Sequence, residues 1–324
     1  MQGDIDLSTI AQTMAVQGFT QLARATFQSA RQIAEAQPAS SGPVQQDQLA
    51  LSHVAKQQAA AGFYADAMET AEKLRQGSLY RGEAELEVVK SQAADGKVAE
   101  ALLTARRILK EECRVKAYCE IAKAQLKTGD IDGARQIVAE VREYATQPEQ
   151  HHQDQGDHAQ QLAEVALVQF HTRDPEGAQG SLSRALEAVS TLGSRYQINR
   201  RKPFIASAYA TIGDYQRALD VANSMDDNRD IALQQIALEY VRAGRGADAV
   251  RTADLMGTGS RFWLLPDVAS ELLTANDLVS FKRVLISCAN DLGSAHRVCA
   301  LLARAYPTQA AAVSVVLRRE AQVE

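Results

Sequence analysis

Side chains that could bind a metal gather in one polar segment near the middle of the chain. The segment holds three histidines and three carboxylates: His151, His152, His158, Glu149, Asp154 and Asp157. Imidazole and carboxylate groups are common zinc ligands. However, the segment has no ordered Cys/His spacing, and its glutamines are typical of a solvated loop. We therefore expect no metal and no cofactor.

The thiols offer no better chemistry. Cysteines stand at positions 113, 119, 288 and 299, and no two of them form a Cys-x-x-Cys pair. Cys113 and Cys119 are six residues apart, which places them on different faces of a helix. We expect reduced, buried thiols that act as small apolar side chains.

Motifs that mark enzymes are also missing from the sequence. It contains no Gly-rich phosphate loop, no Gly-x-Ser-x-Gly and no His-Glu-x-x-His. The charged residues, 23% of the chain, are spread evenly at the spacing of solvated helix faces. No residues group a nucleophile with a base, so we expect no catalytic residues and a protein that is not an enzyme.

Composition excludes two further classes of function. A formal charge of −5 gives no basic face for nucleic acid. No run reaches the roughly 18 apolar residues of a membrane helix. The N-terminus has neither the basic nor the apolar region of a signal peptide. We expect a cytoplasmic protein without membrane or nucleic-acid partners.

Any functional site must be positioned by an internal repeat. A glycine, here called the anchor, has Ala five residues after it and a small or β-branched residue seven residues before it. This pattern occurs at Gly18, Gly62, Gly96, Gly129, Gly213 and Gly244. Degenerate anchors follow at Arg173, Asn276 and Pro307, which makes nine units. A repeat of this length is typical of folds built from stacked units.

Each unit predicts two helices joined at the anchor. Apolar residues before the anchor follow three-and-four spacing, as in "ECRVKAYCEIAKAQLKT", and Ala218, Ala222 and Met225 form one stripe after it. The glycine suits a left-handed helix C-cap, and the following Asp can cap the next helix. Two short helices cannot bury their own apolar faces, so neighbouring units must stack.

The phrase "GDYQRALDVANSM", residues 213–225, resembles the second-helix entry of a tetratricopeptide repeat. The small residue before the anchor, the Ala after it and the spacing of 33 residues from Gly96 to Gly129 match that family. The resemblance implies an all-α fold, a right-handed α-solenoid of about nine helix-turn-helix repeats. We expect one solenoid over residues 1–324, with a division near 145–160 into 1–145 and 157–324 as the alternative.

Three polar segments interrupt the units, at residues 36–48, 145–158 and 192–202. Each follows a second helix, so the three would lie on one edge of a solenoid. Loop edges are frequent binding sites. Tolerated solvated loops are the other interpretation. The basic residues of the last segment could contact an acidic partner, but a solvated junction is the interpretation we favour for them: Arg195, Arg200, Arg201 and Lys202.

In a tetratricopeptide-like solenoid, first helices line a groove. The residues six before each anchor are Gln12, Lys56, Lys90, Lys123, Leu167, Ser207, Leu238, Ser270 and Leu301. Three successive units therefore place a lysine at the same position, and Lys116 and Lys127 add charge nearby. The resemblance implies that such a basic stripe would bind an acidic peptide or a C-terminal carboxylate.

A solvated face is the alternative interpretation of the same lysines. Glu87 precedes Lys90 by three residues, and Glu120 precedes Lys123 by three, so both lysines can pair along their helices. Lys56 has His53 at the corresponding position. We therefore expect Lys56 to be the least neutralised of the three.

The later units place apolar residues toward the groove instead. These are Phe170, Ala210, Val241, Trp263 and Leu273. Trp263 is the single tryptophan of the chain. It would be either a core residue or, if it faces the groove, an anchor for a partner.

Two classes of function remain open. The first is a scaffold or adaptor that binds a peptide or a partner protein, with Lys56, Lys90, Lys116, Lys123, Lys127, Phe170 and Trp263 as groove residues. The second is a self-assembling module or a regulatory sensor that acts on a separate effector. The last helix ends in charged residues, which favours a capped monomer over assembly.

Overall fold

The computed structural model describes residues 2–36, 46–145, 155–289 and 295–307, and within these ranges every regular element is a helix. The helices are α1 (Gln2–Val16), α2 (Thr20–Glu35), α3 (Gln46–Ala60), α4 (Tyr64–Glu72), α5 (Leu79–Ala94), α6 (Val98–Arg107), α7 (Glu111–Thr128), α8 (Ile131–Ala145), α9 (Gln155–His171), α10 (Pro175–Ser190), α11 (Arg195–Thr211), α12 (Tyr215–Asn223), α13 (Arg229–Arg242), α14 (Gly246–Asp254), α15 (Thr258–Thr274), α16 (Leu278–Ala289) and α17 (Ala295–Ala305). The predicted all-α class is confirmed.

The chain forms two compact units, Met1–Ala178 and Gln179–Glu324. This division falls inside α10, not near residues 145–160. Residues 146–154 lie outside the described ranges, and both the single solenoid and the boundary near 145–160 stay predictions.

Both units have the same packing pattern. In the first unit the odd-numbered helices α1 to α9 pack side by side in chain order, and each even-numbered helix from α2 to α8 packs against the odd-numbered helices before and after it. The second unit repeats this pattern from α11 to α17. Helix pairs that bury their apolar faces against their chain neighbours define an α-solenoid. The odd-numbered helices are called first helices below.

The first helices end at their anchors with the same backbone conformation and the same hydrogen bonds. Eight anchors, from Gly18 to Asn276, have positive φ angles between 58° and 87°. At Gly129 its N–H donates to the Leu126 carbonyl at 3.1 Å, and the Asp130 N–H donates to the Gln125 carbonyl at 2.9 Å. The same pair of bonds recurs at all eight anchors. This is the Schellman motif, and even Arg173 and Asn276 adopt its left-handed conformation.

The positions predicted from the repeat are fully buried in the core. The residues seven before and five after these eight anchors are all 0% exposed: Ala11, Ala55, Val89, Ala122, Ala166, Ala206, Ala237, Ala269, Ala23, Ala67, Ala101, Ala134, Ala178, Ala218, Ala249 and Phe281. An Ala side chain lets two helix backbones approach closely, because helix separation follows the size of the side chains at the contact. The repeated offsets therefore predict the core directly.

Buried polar pairs add a second repeated contact. The Thr70 hydroxyl donates to the Gln58 amide oxygen at 2.7 Å, and the Thr104 hydroxyl donates to that of Gln92 at 3.0 Å. In each case the Gln lies four residues before an anchor and the Thr eight residues after it. A buried polar group must find a partner, so this bond sets the register of the two helices in its unit.

Two sequence-based expectations about the later chain are wrong. Residues 195–202, expected within a loop insertion, belong to α11, whose first turn is capped by the Ser194 hydroxyl. In the ninth unit Ala300 is exposed, whereas Leu301 is buried. The anchor at Pro307 is therefore one residue too early for the face that α17 packs against α15 and α16.

Candidate functional site

The site lies on the first helices of the first unit. We define the first-helix face as the positions six, nine and thirteen residues before each anchor, which share one stripe of a helix. The predicted groove positions Lys56, Lys90, Lys123 and Leu167 are all half-buried. Such partial exposure fits side chains whose stems pack on the stack while their ends meet solvent.

A pocket of about 640 Å³ opens at the C-terminal ends of α5, α7 and α9. Most of its uncharged lining residues are apolar, and they are called its floor below: Ala93, Ala94, Ala124, Leu126, Leu167 and Val168. Its charged and titratable residues are Lys90, Lys123, Lys127, Glu120 and His171. Three of the lysines predicted from the sequence therefore meet around one cavity.

Local sequence sets the position of Lys127 at this pocket. The Schellman bonds at Gly129 stop α7 one turn after Lys123, and the Thr128 hydroxyl donates to the Gln125 carbonyl at 2.9 Å. Asp130 then caps α8 by accepting from the Gly133 N–H at 2.9 Å. Lys127 stands in the last turn of α7, where the partial negative charge of the helix end favours a cation.

The lysines of this face are paired with glutamates. Three pairs lie within one helix: Lys90 with Glu87 at 3.5 Å, Lys116 with Glu112 at 3.1 Å, and Lys123 with Glu120 at 2.8 Å. The predicted pairing of Lys90 and Lys123 along their helices is confirmed. These pairs are partly exposed, and such pairs contribute on the order of 0.2–0.5 kcal/mol.

Lys56 corrects one prediction. Its ammonium group donates to Glu83 at 2.5 Å, across the contact between α3 and α5. The expectation that Lys56 would be the least neutralised lysine is wrong. The prediction considered partners within one helix only, whereas Glu83 lies on the neighbouring first helix, α5. Lys56 is also not among the residues that line the pocket.

Glu164 in α9 is, besides Glu83, a second charged residue of this face that sequence reasoning missed. Burial raises the pKa of its carboxyl group, while the positive charges of Lys116 and Lys123 act in the opposite direction. Burial also works to lower the pKa of Lys123, but the hydrogen bond and charge of Glu120 outweigh it, so the pKa is raised. Glu164 lies nine residues before its anchor, as do Glu87 and Glu120. That shared offset could have identified it.

The two ring nitrogens of His171, which lines the pocket, have different roles. Its Nδ1 lies 2.6 Å from the Leu167 carbonyl. A carbonyl oxygen only accepts, so Nδ1 carries the proton and Nε2 is left for other contacts. The neighbouring Phe170 is half-buried and meets the His171 ring edge-on at a centroid distance of 5.7 Å. Phe170 supports this ring but does not line the pocket.

In the second unit only part of the predicted apolar groove is on the surface. Ala210 and Val241 are buried, so their assignment to the groove is wrong. Both lie three residues before their anchors. Leu273 is half-buried, whereas Trp263 is 60% exposed. Trp263 is thus not a core residue.

The thiols and the possible metal ligands stay separate from this site. Cys113 and Cys119 are buried and unbridged, and burial raises the pKa of each thiol to about 12. Cys299 is exposed and also unbridged. Within residues 2–36, 46–145, 155–289 and 295–307 no three His, Cys, Asp or Glu side chains could share a metal ion. His151 and His152 lie outside the described residues.

Comparisons with known proteins give fold-level similarity only. No family model matches the chain, and no curated protein matches it. Among solved structures, it is similar to a Signal Transduction ATPase with Numerous Domains protein with a tetratricopeptide repeat sensor from Pyrococcus horikoshii, at 13% identity and a TM-score of 0.39. That alignment covers 87% of this chain and 46% of the other, so this chain spans about half the length of that protein.

A circular tandem repeat protein with novel repeat topology is similar at 15% identity and a TM-score of 0.28, over 93% of this chain and 72% of the other. Because both TM-scores lie below 0.5, the assignment to the α-solenoids rests on the helix packing of the chain itself. Within the described residues, no helix has the length and apolar character needed to cross a membrane.

Proposed function

We propose that this chain is a non-catalytic scaffold that binds an acidic peptide segment of a partner protein in the pocket of its first unit. The observation that carries the proposal is the meeting of Lys90, Lys123 and Lys127 around an apolar floor contributed by consecutive first helices. A mainly apolar cavity with a few polar groups is the usual form of a binding site. Its apolar floor suits a side chain, and its ammonium groups suit carboxylates.

The charge pairs leave room for such a ligand. The Glu87 and Glu120 partners of the pocket lysines are exposed enough that each pair is weak. A ligand carboxylate that is shielded from water by the pocket forms a stronger charge-assisted bond and can replace them. Lys56 and Lys116 do not line the pocket, so they contribute less.

A non-catalytic role is supported by the protonation of the two buried thiols. A thiol reacts as its thiolate, and the raised pKa values of Cys113 and Cys119 keep both protonated near neutral pH. The titratable groups that line the pocket are lysines, one glutamate that is paired with a lysine, and one histidine. This set suits recognition of charge more than nucleophilic or metal-assisted chemistry.

The test uses fluorescence anisotropy of a labelled peptide in which glutamates flank one leucine. We expect the wild-type chain to bind it and a Lys90→Glu/Lys123→Glu/Lys127→Glu variant to bind at least about tenfold more weakly. A control variant with the same change in charge, Lys73→Glu/Arg184→Glu/Lys282→Glu, reverses three exposed residues outside the pocket and should bind like wild type.

Equal binding by the two variants would refute the pocket as the site. A peptide with lysines in place of the glutamates should not bind, and equal affinity for it would refute the proposed charge preference. Light scattering on the same samples addresses self-assembly. A mass that rises with protein concentration would favour the self-assembling module over the scaffold.

A further inference from the structure

The second unit has an exposed surface of different chemistry. Phe204, Ile231 and Trp263 lie on the consecutive first helices α11, α13 and α15 and are 50%, 44% and 60% exposed. We call these three residues the apolar surface. Large apolar side chains that are exposed together, unlike single ones, mark interaction sites.

Hydrogen bonds between the helices bring these residues to the same side. Gln234 in α13 donates to the Leu264 carbonyl at 2.9 Å and to Asp267 at 3.0 Å. Ile231 is one turn before Gln234, so it lies level with the turn of α15 that holds Trp263. Ile231 and Trp263 also share the position thirteen residues before their anchors.

Phe204 joins them from α11. Asn228, just before α13, donates to the Asn199 carbonyl at 3.3 Å and so sets the register between α11 and α13. Phe204 follows Asn199 by little more than one turn and lies nine residues before its anchor. Positions nine and thirteen residues before an anchor share one stripe of a helix, so all three residues belong to the first-helix face.

These three side chains lie outside the buried core. Their own helices are held in the stack by other residues, for example Ile205, Leu233 and Leu265, each of which is 0% exposed. A tryptophan side chain that stays exposed to solvent does not gain the favourable free energy of burying its apolar area. At 60% exposure, Trp263 keeps apolar area that would gain free energy if a ligand covered it.

Charges at the border indicate what covers the apolar surface. Arg200 lies one turn before Phe204 and is exposed. Arg304 in α17 reaches the neutral hydroxyl of Ser270 at 3.3 Å. Within the described ranges neither arginine forms an ion pair with a carboxylate, whereas Asp267 is already paired with Arg297. The border thus offers positive charge to a ligand.

We infer that the apolar surface docks a segment of a partner protein in which large apolar side chains alternate with carboxylates. Trp263 and Ile231 pack against the apolar side chains, and Arg200 and Arg304 bind the carboxylates. Trp and Arg are the residue types most enriched among those that dominate interface energies. This docking surface is additional to the pocket of the first unit and shares no residue with it.

Intrinsic fluorescence of the full-length chain tests the inference directly, because Trp263 is its one tryptophan. The probe is a synthetic peptide that repeats Glu-Leu-Glu-Phe. We expect it to shift the Trp263 emission to shorter wavelength in a saturable manner, since covering the indole removes water from it. Two matched peptides, with Lys for Glu or with Ser for Leu and Phe, should leave the emission unchanged.

Variants then locate the contact, with the fluorescence titration as the readout. Ile231→Ser and Arg304→Glu should each weaken binding about tenfold, and both positions are exposed, so the fold is retained. Val279→Ser, at a 75% exposed position on α16, is the control and should bind like wild type. The pocket variant Lys90→Glu/Lys123→Glu/Lys127→Glu should also leave this titration unchanged, which separates the two proposals.

Three results would overturn the inference. The first is an emission that none of the peptides shifts. The second is equal binding of the glutamate and lysine peptides, which would remove the role of the arginines. The third is an affinity that Val279→Ser lowers as much as Ile231→Ser does, because the contact would then not involve the apolar surface.

Discussion

The two units share one core and differ in their first-helix faces. Ala122 in the first unit and Ala206 in the second unit lie seven residues before their anchors, and both are fully buried. On the faces, however, Lys123 and Glu120 correspond to Ser207 and Phe204. The repeat thus constrains the buried positions and leaves the face free to vary, as in other solenoids that present different surfaces on one scaffold.

In both units the contacts between neighbouring first helices include ion pairs and side-chain bonds to backbone carbonyls. In the first unit an ion pair joins Lys56 to Glu83. In the second unit the amide of Gln234 donates to the Leu264 carbonyl at 2.9 Å, and the Arg297 guanidinium donates to the Trp263 carbonyl at 2.9 Å. An ion pair also joins Arg297 to Asp267 in the second unit. The two faces differ in their outward side chains, because the second face exposes Trp263, and within the described ranges its Arg200 and Arg304 form no ion pair with a carboxylate.

The largest expected effect tests the shared core. Ala122→Leu and Ala206→Leu should each lower the free energy of unfolding by about 1–3 kcal/mol, because a larger side chain must push two closely packed helices apart. Urea denaturation measures both. Ala99→Leu and Ala247→Leu, at exposed helix positions, should change stability by less than about 0.5 kcal/mol. A large loss in only one unit would show that the cores are not equivalent.

A smaller effect of opposite sign concerns two of the degenerate anchors, Arg173 in the first unit and Asn276 in the second. Arg173 and Asn276 have φ angles of 65° and 58°. Arg173→Gly should stabilise the chain by about 1 kcal/mol, and Asn276→Gly by less, because Asn tolerates the left-handed region better.

The matched reversal is Gly129→Ala, and it should cost about 1 kcal/mol. A Cβ at Gly129 would meet no atom within 4 Å, so the cost would come from the backbone alone. Thermal unfolding of the three variants measures the set. Destabilisation by Arg173→Gly would mean that contacts of the arginine side chain outweigh the strain of its backbone.

The smallest expected effect concerns how the stability of the first unit depends on pH through Glu164. Burial raises the pKa of Glu164 above its usual value of 4.5, so the folded state holds this proton more tightly than the unfolded state. The stability contributed by this group is present at acidic pH and is lost as the pH rises through the folded pKa. Glu164→Gln, which stays neutral, should therefore be more stable than wild type at neutral pH and equal to it below about pH 4.

Urea denaturation at several pH values measures this difference. Glu187→Gln, at an exposed position of α10, is the control and should show no such dependence on pH. If Glu164→Gln were less stable than wild type at neutral pH, attraction from Lys116 and Lys123 would outweigh the cost of burial.

Much of this molecule could be predicted from the sequence because its repeat is local. The anchor glycines end helices by bonds within a few residues, and the alanine offsets follow from helix periodicity. The pairs of Lys90 with Glu87 and Lys123 with Glu120 were predictable for the same reason, since three residues separate the partners along one helix.

Contacts between neighbouring helix pairs of the repeat were not predictable in this way. Lys56 meets Glu83, which is 27 residues away, and Glu164 lies where two lysines of another helix act on it. The sequence placed Ala210 on the groove although it is buried, because a small apolar residue fits either side of a helix. Only the packed neighbours distinguish the two sides.

By itself the sequence determined the eight anchors from Gly18 to Asn276, the helix ends at them and the small residues of the core, because each depends on backbone geometry within one helix pair. The tertiary structure decided which face residues meet. It brought Lys90, Lys123 and Lys127 around one pocket and placed Ile231 level with Trp263. The physical reason is that side-by-side packing sets the axial offset between neighbouring helices, and that offset depends on all the buried contacts together.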